Sequence, residues 1–273
     1  MSASHSPVCA EGGKVRRVPE ETARKLRELA ERYETADFSD GDPSFILKRY
    51  TAVADVECSA FVAAVLAFGR RDQFIPKIES IFAEADRHGG PEKWLRSGSY
   101  ASFGANAGDK KFYRFYSYSD MTALFARLAE ILEKYGTLGN CIRQTYERAT
   151  AECASHTPAE RLLFALEKVF SGCCIVPQGK SSAAKRLCMF LRWMVRRDSP
   201  VDTGLWSWVQ PKDLIIPLDT HVLQESVKMG LLPEKASATL KTAVTLTNEL
   251  KEIWPDDPCK GDFALFGLGV DGS

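Results

Sequence analysis

The stretch Val56-Glu57-Cys58-Ser59-Ala60-Phe61-Val62-Ala63-Ala64-Val65-Leu66-Ala67-Phe68 decides the fold class. Its Ala-rich apolar face, carrying Cys58, Phe61, Val62, Val65 and Leu66, is wide enough for a helix buried at the centre of the chain. Asp55 stands where it can cap that helix, and Gly69 stands where it can end it. A central helix needs others packed around it, and the rest of the sequence supplies them.

Working outward, Pro19-Glu20-Glu21 opens a helix running to about Tyr33, with proline in the first turn and acids facing the macrodipole. Asp42-Pro43-Ser44 is a turn and helix opening. Helical patterns also cover Phe74 to Asp86, Met121 to Tyr135, Ile142 to Ala151, Pro158 to Phe170, Ser182 to Arg196, Thr220 to Met229, Ala236 to Ile253 and Phe263 to Leu268. No alternating, turn-bounded strand pattern competes with them, so the expectation is an all-α fold. The aromatic stretch Pro91 to Tyr118 is open to two readings: a functional loop, or core aromatics around a short helix.

The chain has 273 residues, 45% of them hydrophobic, which is enough for one large core. With 36 basic and 36 acidic residues it has no net charge, so an anionic partner must be met by a local patch. The eight cysteines form no CxxC pair and read as reduced core thiols, which leaves no metal site and no cofactor expected. No leader pattern and no apolar run of spanning length is found, so the cytoplasm is the expected compartment.

One segment is strongly polarised. Lys180 to Arg197 holds six basic residues and no acidic one in 18 positions, where 36 in 273 predicts between two and three. It begins in a turn, Gly179-Lys180-Ser181-Ser182, that feeds a helix, and backbone N–H groups at a helix start are phosphate ligands. On a helical wheel Lys185, Arg192 and Arg196 share one face. That face is either simply solvated or functional. In the functional reading Lys185, beside Arg192 and the helix N-terminus, has its amine pKa lowered and acts as a nucleophile. Lys180 is the rival for that role.

The second candidate is Asp219. Pro217 disfavours helix just before it, so Leu214 to Leu218 should run extended and buried and deliver Asp219 to a helix start. There it is either a plain N-cap or also a catalytic carboxylate, since one oxygen can hold the helix while the other faces a cleft. His221, two residues on, can touch a phosphate or a base, or can be structural.

These residues resemble the helix-hairpin-helix DNA glycosylase superfamily, in which a hairpin with a catalytic lysine precedes a Pro-x-Asp-x-His segment. Pro217-Leu218-Asp219-Thr220-His221 is similar to that segment in 8-oxoguanine DNA glycosylases. The hairpin lacks the usual Leu-Pro-Gly-Val-Gly and is more similar to the archaeal 8-oxoguanine glycosylases, an alignment that selects Lys185. Over nearly its whole length the chain also resembles a bacterial family known only as a conserved domain of unknown function. It departs from the usual enzymes in its longer lysine-to-aspartate separation, filled by the insertion after Asp198, and in lacking the four-cysteine iron–sulfur signature.

The resemblance implies two packed helical halves around a DNA cleft. Residues 1–18 would form a flexible tail, and 19–56 N-terminal helices that pack with the C-terminal half. Residues 57–197 would form a central domain ending in the hairpin and the Lys185 helix, 198–212 the insertion, and 213–273 the C-terminal part with Asp219. It implies a monomeric base-excision N-glycosylase acting on double-stranded DNA with an oxidised purine such as 8-oxoguanine, with or without lysine-dependent abasic-site lyase activity. Lys185 and Asp219 would be catalytic, and Gly179, Lys180, Ser181, Ser182, Arg192 and His221 would bind DNA. Phe68 or the aromatic stretch could stack on the base. The alternative is a non-catalytic DNA-binding protein that uses Asp219 only as a cap.

Overall fold

A computed structural model describes residues 18–152, 156–178 and 182–271. The expected flexible tail therefore falls, but for its last residue, outside the described residues. Gly179, Lys180 and Ser181 lie outside them too.

The fold is all-α, with helices α1 (Glu20–Tyr33), α2 (Val53–Leu66), α3 (Arg71–Arg87), α4 (Pro91–Arg96), α5 (Tyr118–Tyr135), α6 (Leu138–Glu152), α7 (Pro158–Val169), α8 (Lys185–Val195), α9 (Thr220–Lys228), α10 (Leu240–Lys251) and α11 (Lys260–Asp271). α2 is the axis of the core, and from Val56 to Leu66 every residue is buried. Phe61 stacks on Phe170 beyond α7, with ring centroids 4.2 Å apart, and meets Phe190 of α8 edge-on at 5.1 Å. No helix among the described residues is long and apolar enough to cross a membrane.

Asp55 does not cap α2, which begins at Val53. Its Oδ1 accepts the Glu92 N–H at 2.7 Å and so caps α4 from outside. Glu57, two residues on, does the same for α6 by accepting the Gly139 N–H at 2.9 Å. The central helix thus orients two neighbours by supplying carboxylates to their unpaired first N–H groups.

The aromatic stretch divides between the two readings. Trp94 is buried, and its ring packs against Phe125 at 4.8 Å and Phe103 at 6.1 Å, so much of the segment is core. The rest forms a hairpin that the sequence does not announce: β1 (Lys111–Tyr113) pairs antiparallel with β2 (Tyr116–Ser117), with Tyr113 opposite Tyr116. Strands this short show no alternation, and the turn Arg114-Phe115 lacks the Gly or Asn that usually marks one.

At the other end of the chain, α1 packs along α11. A Cβ on Gly267 would meet Tyr33 ring atoms at 2.2 to 2.6 Å, so glycine is what lets these helices approach. Within residues 198–212, Val201, Asp202, Trp206 and Val209 are buried and anchor the segment to the core. The Trp206 N–H donates to the Met194 carbonyl at 2.7 Å and its indole N–H to Glu57 Oε1 at 2.8 Å. Of the described cysteines, Cys58, Cys141, Cys188 and Cys259 are buried as expected, whereas Cys174 is exposed.

Candidate active site

A cleft of about 720 Å³ lies among the ends of several elements. It is lined from the end of α2 and the starts of α3 and α8 by Phe68, Arg71, Lys185 and Arg186. Residues 38–43 and the starts of α9 and α11 add Asp42, Asp219, His221 and Asp262.

Asp219 arrives as the sequence suggests. Leu214 to Leu218 are buried and non-helical, and Ile216 N–H donates to Thr247 Oγ1 at 3.1 Å, which pins the segment against α10. Asp219 then caps α9, with Oδ1 accepting the Val222 N–H at 2.8 Å. Its Oδ2 lies 3.1 Å from Lys185 Nζ. The carboxylate thus holds its helix with one oxygen and a lysine with the other.

Lys185 is the first residue of α8, three positions later than the pattern predicts. Ala184 before it takes a left-handed conformation, φ 50°, and Ser182 Oγ accepts the Ala184 N–H at 3.3 Å. Ser182 is exposed at the cleft edge. Two substituents therefore meet across the cleft: a one-third-exposed lysine and a nearly buried carboxylate. The carboxylate is a proton acceptor placed beside the amine for the moment that the amine must attack.

The expectation for Arg192 and Arg196 is overturned. Neither sits on a solvated face: they are 3% and 0% exposed. Arg192 Nη1 donates to Asp262 Oδ2, and its Nε lies 3.3 Å from Asp202. Arg196 binds both oxygens of Asp257 at 2.8 to 2.9 Å, Asp202 at 2.6 Å and Glu34 at 2.8 Å. Guanidinium groups taken out of water need partners in this way, because an unpaired buried charge is very costly. Arg192 borders the cleft but is almost wholly buried, with its charge set against Asp202 and Asp262, so the like charge expected beside Lys185 is neutralised.

The loop 198–212 supplies Asp202 to this network. Gly204, φ 61°, makes its path possible, since a Cβ there would lie 2.9 Å from the Arg196 carbonyl oxygen. Sequence reasoning has no signal for these pairings, because the partners come from four segments.

Three further cleft residues were not singled out from sequence. Asp262 of α11 is buried, and burial pushes its carboxyl up to about 6, with Asp219 adding to the rise and Arg192 and Lys185 opposing it. Arg71 sits 3.6 Å from Asp42, with its guanidinium over the Phe266 ring at 5.2 Å. Arg186 donates to the Val65 carbonyl at the end of α2, and lies 4.8 Å from the Phe68 ring centroid. His221 faces the cleft from α9, packed edge-on to Phe266 at 6.2 Å. Among the described residues no group of three or more His, Cys, Asp or Glu side chains is placed to hold a metal ion.

Fold and site together define an all-α protein with a lysine–carboxylate pair in a deep interhelical cleft. The chain belongs to the family described as protein of unknown function (DUF2400), which matches residues 42–271 and so takes in the whole cleft. Neither a curated protein nor a solved structure matches it.

Proposed function

We propose that this protein is a DNA N-glycosylase of base-excision repair, acting as a monomer on double-stranded DNA that bears an oxidised purine such as 8-oxoguanine. The observation that carries the reading is the 3.1 Å approach of Lys185 Nζ to Asp219 Oδ2 inside a cleft of about 720 Å³. Clefts of this size suit a small ligand, such as a base turned out of a duplex. The helix-hairpin-helix resemblance of the Lys185 and Asp219 segments supports the same conclusion.

In this mechanism Asp219 Oδ2 takes the Lys185 ammonium proton, and the free amine attacks C1′ of the damaged nucleotide. As the C1′–N bond breaks, its electron pair leaves with the base, which takes up the proton that Asp219 had accepted, and the restored carboxylate stabilises the positive charge developing on the sugar. Opening of the sugar ring, with O4′ taking up a proton from the adduct nitrogen, converts the amine adduct to a Schiff base, from which strand cleavage can follow. With water in place of the amine as nucleophile, the same carboxylate gives base release alone.

The test is to incubate the protein with duplexes bearing 8-oxoguanine, uracil or an abasic site, with borohydride to reduce any Schiff base. A covalent adduct lost in Lys185→Gln supports the lyase chemistry, and base release without an adduct supports a monofunctional enzyme. DNA binding with neither product from any lesion would leave a non-catalytic DNA-binding protein, with Asp219 only a cap.

A further inference from the structure

The hairpin of β1 and β2 carries an arrangement that folding alone does not require. Its two-residue turn is Arg114-Phe115, and Arg114 has φ 50°. Hairpin turns with a positive φ at this position favour Gly, Asn or Asp, and a long side chain there costs roughly 1 kcal/mol or more. Phe115, next to it, is 59% exposed, the most exposed large apolar side chain among the described residues.

Both residues adjoin Phe68, which lines the cleft. The Phe115 ring lies 5.3 Å from that of Phe68, a cleft residue, and the Arg114 guanidinium lies 6.0 Å from the same Phe68 ring. Gly69, φ 83°, turns the chain beside it, and a Cβ there would stand 2.8 Å from the Tyr113 hydroxyl and 3.0 Å from Arg114 Nη1. Arg186 stacks over Phe68 as well. Lys110 and Lys111 precede the turn on exposed positions, so the protruding tip is cationic as well as aromatic.

We infer that this hairpin is a nucleic-acid-contacting tip: Phe115 stacks on an unpaired nucleobase beside the cleft while Arg114 holds the neighbouring phosphate. An exposed ring flanked by fixed cations matches the two surfaces of a nucleotide, the π-face of its base and its anionic backbone. The strained arginine is explained by the phosphate that it meets. The inference rests on the DNA reading above, and names the surface through which the Lys185–Asp219 cleft receives its strand.

The experiment measures binding of the full chain to a duplex with an uncleavable abasic-site analogue opposite 2-aminopurine, by titration and by the fluorescence of that base. Phe115→Ala should weaken binding roughly 5- to 100-fold and abolish the fluorescence change, with Phe115→Trp restoring both. Arg114→Gly should leave the fold at least as stable, because it relieves the positive φ, yet bind more weakly with a salt dependence lower by about one phosphate contact. A merely structural hairpin would show the stabilisation without the loss. Wild-type affinity in both Phe115→Ala and Arg114→Gly would overturn the inference, as would no binding by the wild type. Borohydride trapping keeps the two claims apart: adducts that form equally in Phe115→Ala sink the hairpin and spare the enzyme. Phe115-dependent binding with no product from any lesion does the reverse.

Discussion

Lys185 and Asp219, 34 positions apart in the chain, meet at 3.1 Å because two helix starts face each other: Lys185 opens α8 and Asp219 caps α9. The carboxylate's two oxygens have separate duties, and a substitution can separate them. Asparagine keeps an oxygen for the Val222 N–H and is as good a cap as aspartate, but it cannot accept the lysine proton. Asp219→Asn should therefore change folding stability by less than about 1 kcal/mol, while base release falls roughly 10²- to 10⁴-fold. Thermal unfolding and single-turnover base release on the same preparation check this. Unfolding in step with lost activity would count against it.

A second prediction concerns Glu57, which is 2% exposed and accepts two hydrogen bonds, from Gly139 N–H at 2.9 Å and Trp206 Nε1 at 2.8 Å. Its removal leaves both donors buried without a partner. Glu57→Ala should cost about 2 to 4 kcal/mol, measured by urea unfolding, and should be visible as hydrogen exchange at the start of α6. Glu57→Gln should cost less, since one oxygen remains to accept. Equal losses in the two variants would mean that packing volume, not the bonds, is what Glu57 supplies.

These two residues also mark what was legible in the sequence. Helices announce themselves locally, through caps and period, so the all-α class and the extended delivery of Asp219 could be read from a few consecutive residues. Asp55 shows the limit: its suitability as a cap is visible, but that it serves α4 rather than α2 depends on packing. The same holds for Arg192 and Arg196. Their spacing on α8 gives a shared face, and whether that face meets water or Asp202, Asp257 and Asp262 is decided by segments that join it only on folding. The hairpin tip was hidden for another reason, its turn being made from residues that hairpins ordinarily avoid.

A third prediction tests that buried network. Asp202 is fully buried between two guanidinium groups, 2.6 Å from Arg196 and 3.3 Å from Arg192. Burial raises its pKa in spite of both cations, so the ionised form depends on them. Asp202→Ala should destabilise the chain by about 3 to 5 kcal/mol, because it leaves buried positive charge under-compensated. Adding Arg192→Met to that variant should recover part of the loss, a coupling that a double-mutant cycle reads directly. Simple additivity of the two losses would sink the account.

The last prediction follows from Asp262, whose carboxyl stands at about 6 in the folded chain against an ordinary value of 3.8. Burial is the main cause, the Arg192 guanidinium opposes it, and among the cleft residues Asp219 raises it while Lys185 lowers it. With the folded value raised, the folded chain keeps its proton over a pH range in which the unfolded chain has lost it. The stability that this contributes is fully present below the unfolded value and is lost as pH rises through the folded one. Asp262→Asn cannot titrate, so its melting temperature relative to the wild type should climb as pH rises from about 4 to about 7 and then level off. The offset at low pH compares an amide with a neutral carboxyl; only the slope reports the titration. A difference that stays flat across that range would show that Arg192 keeps Asp262 ionised throughout, with burial the weaker influence.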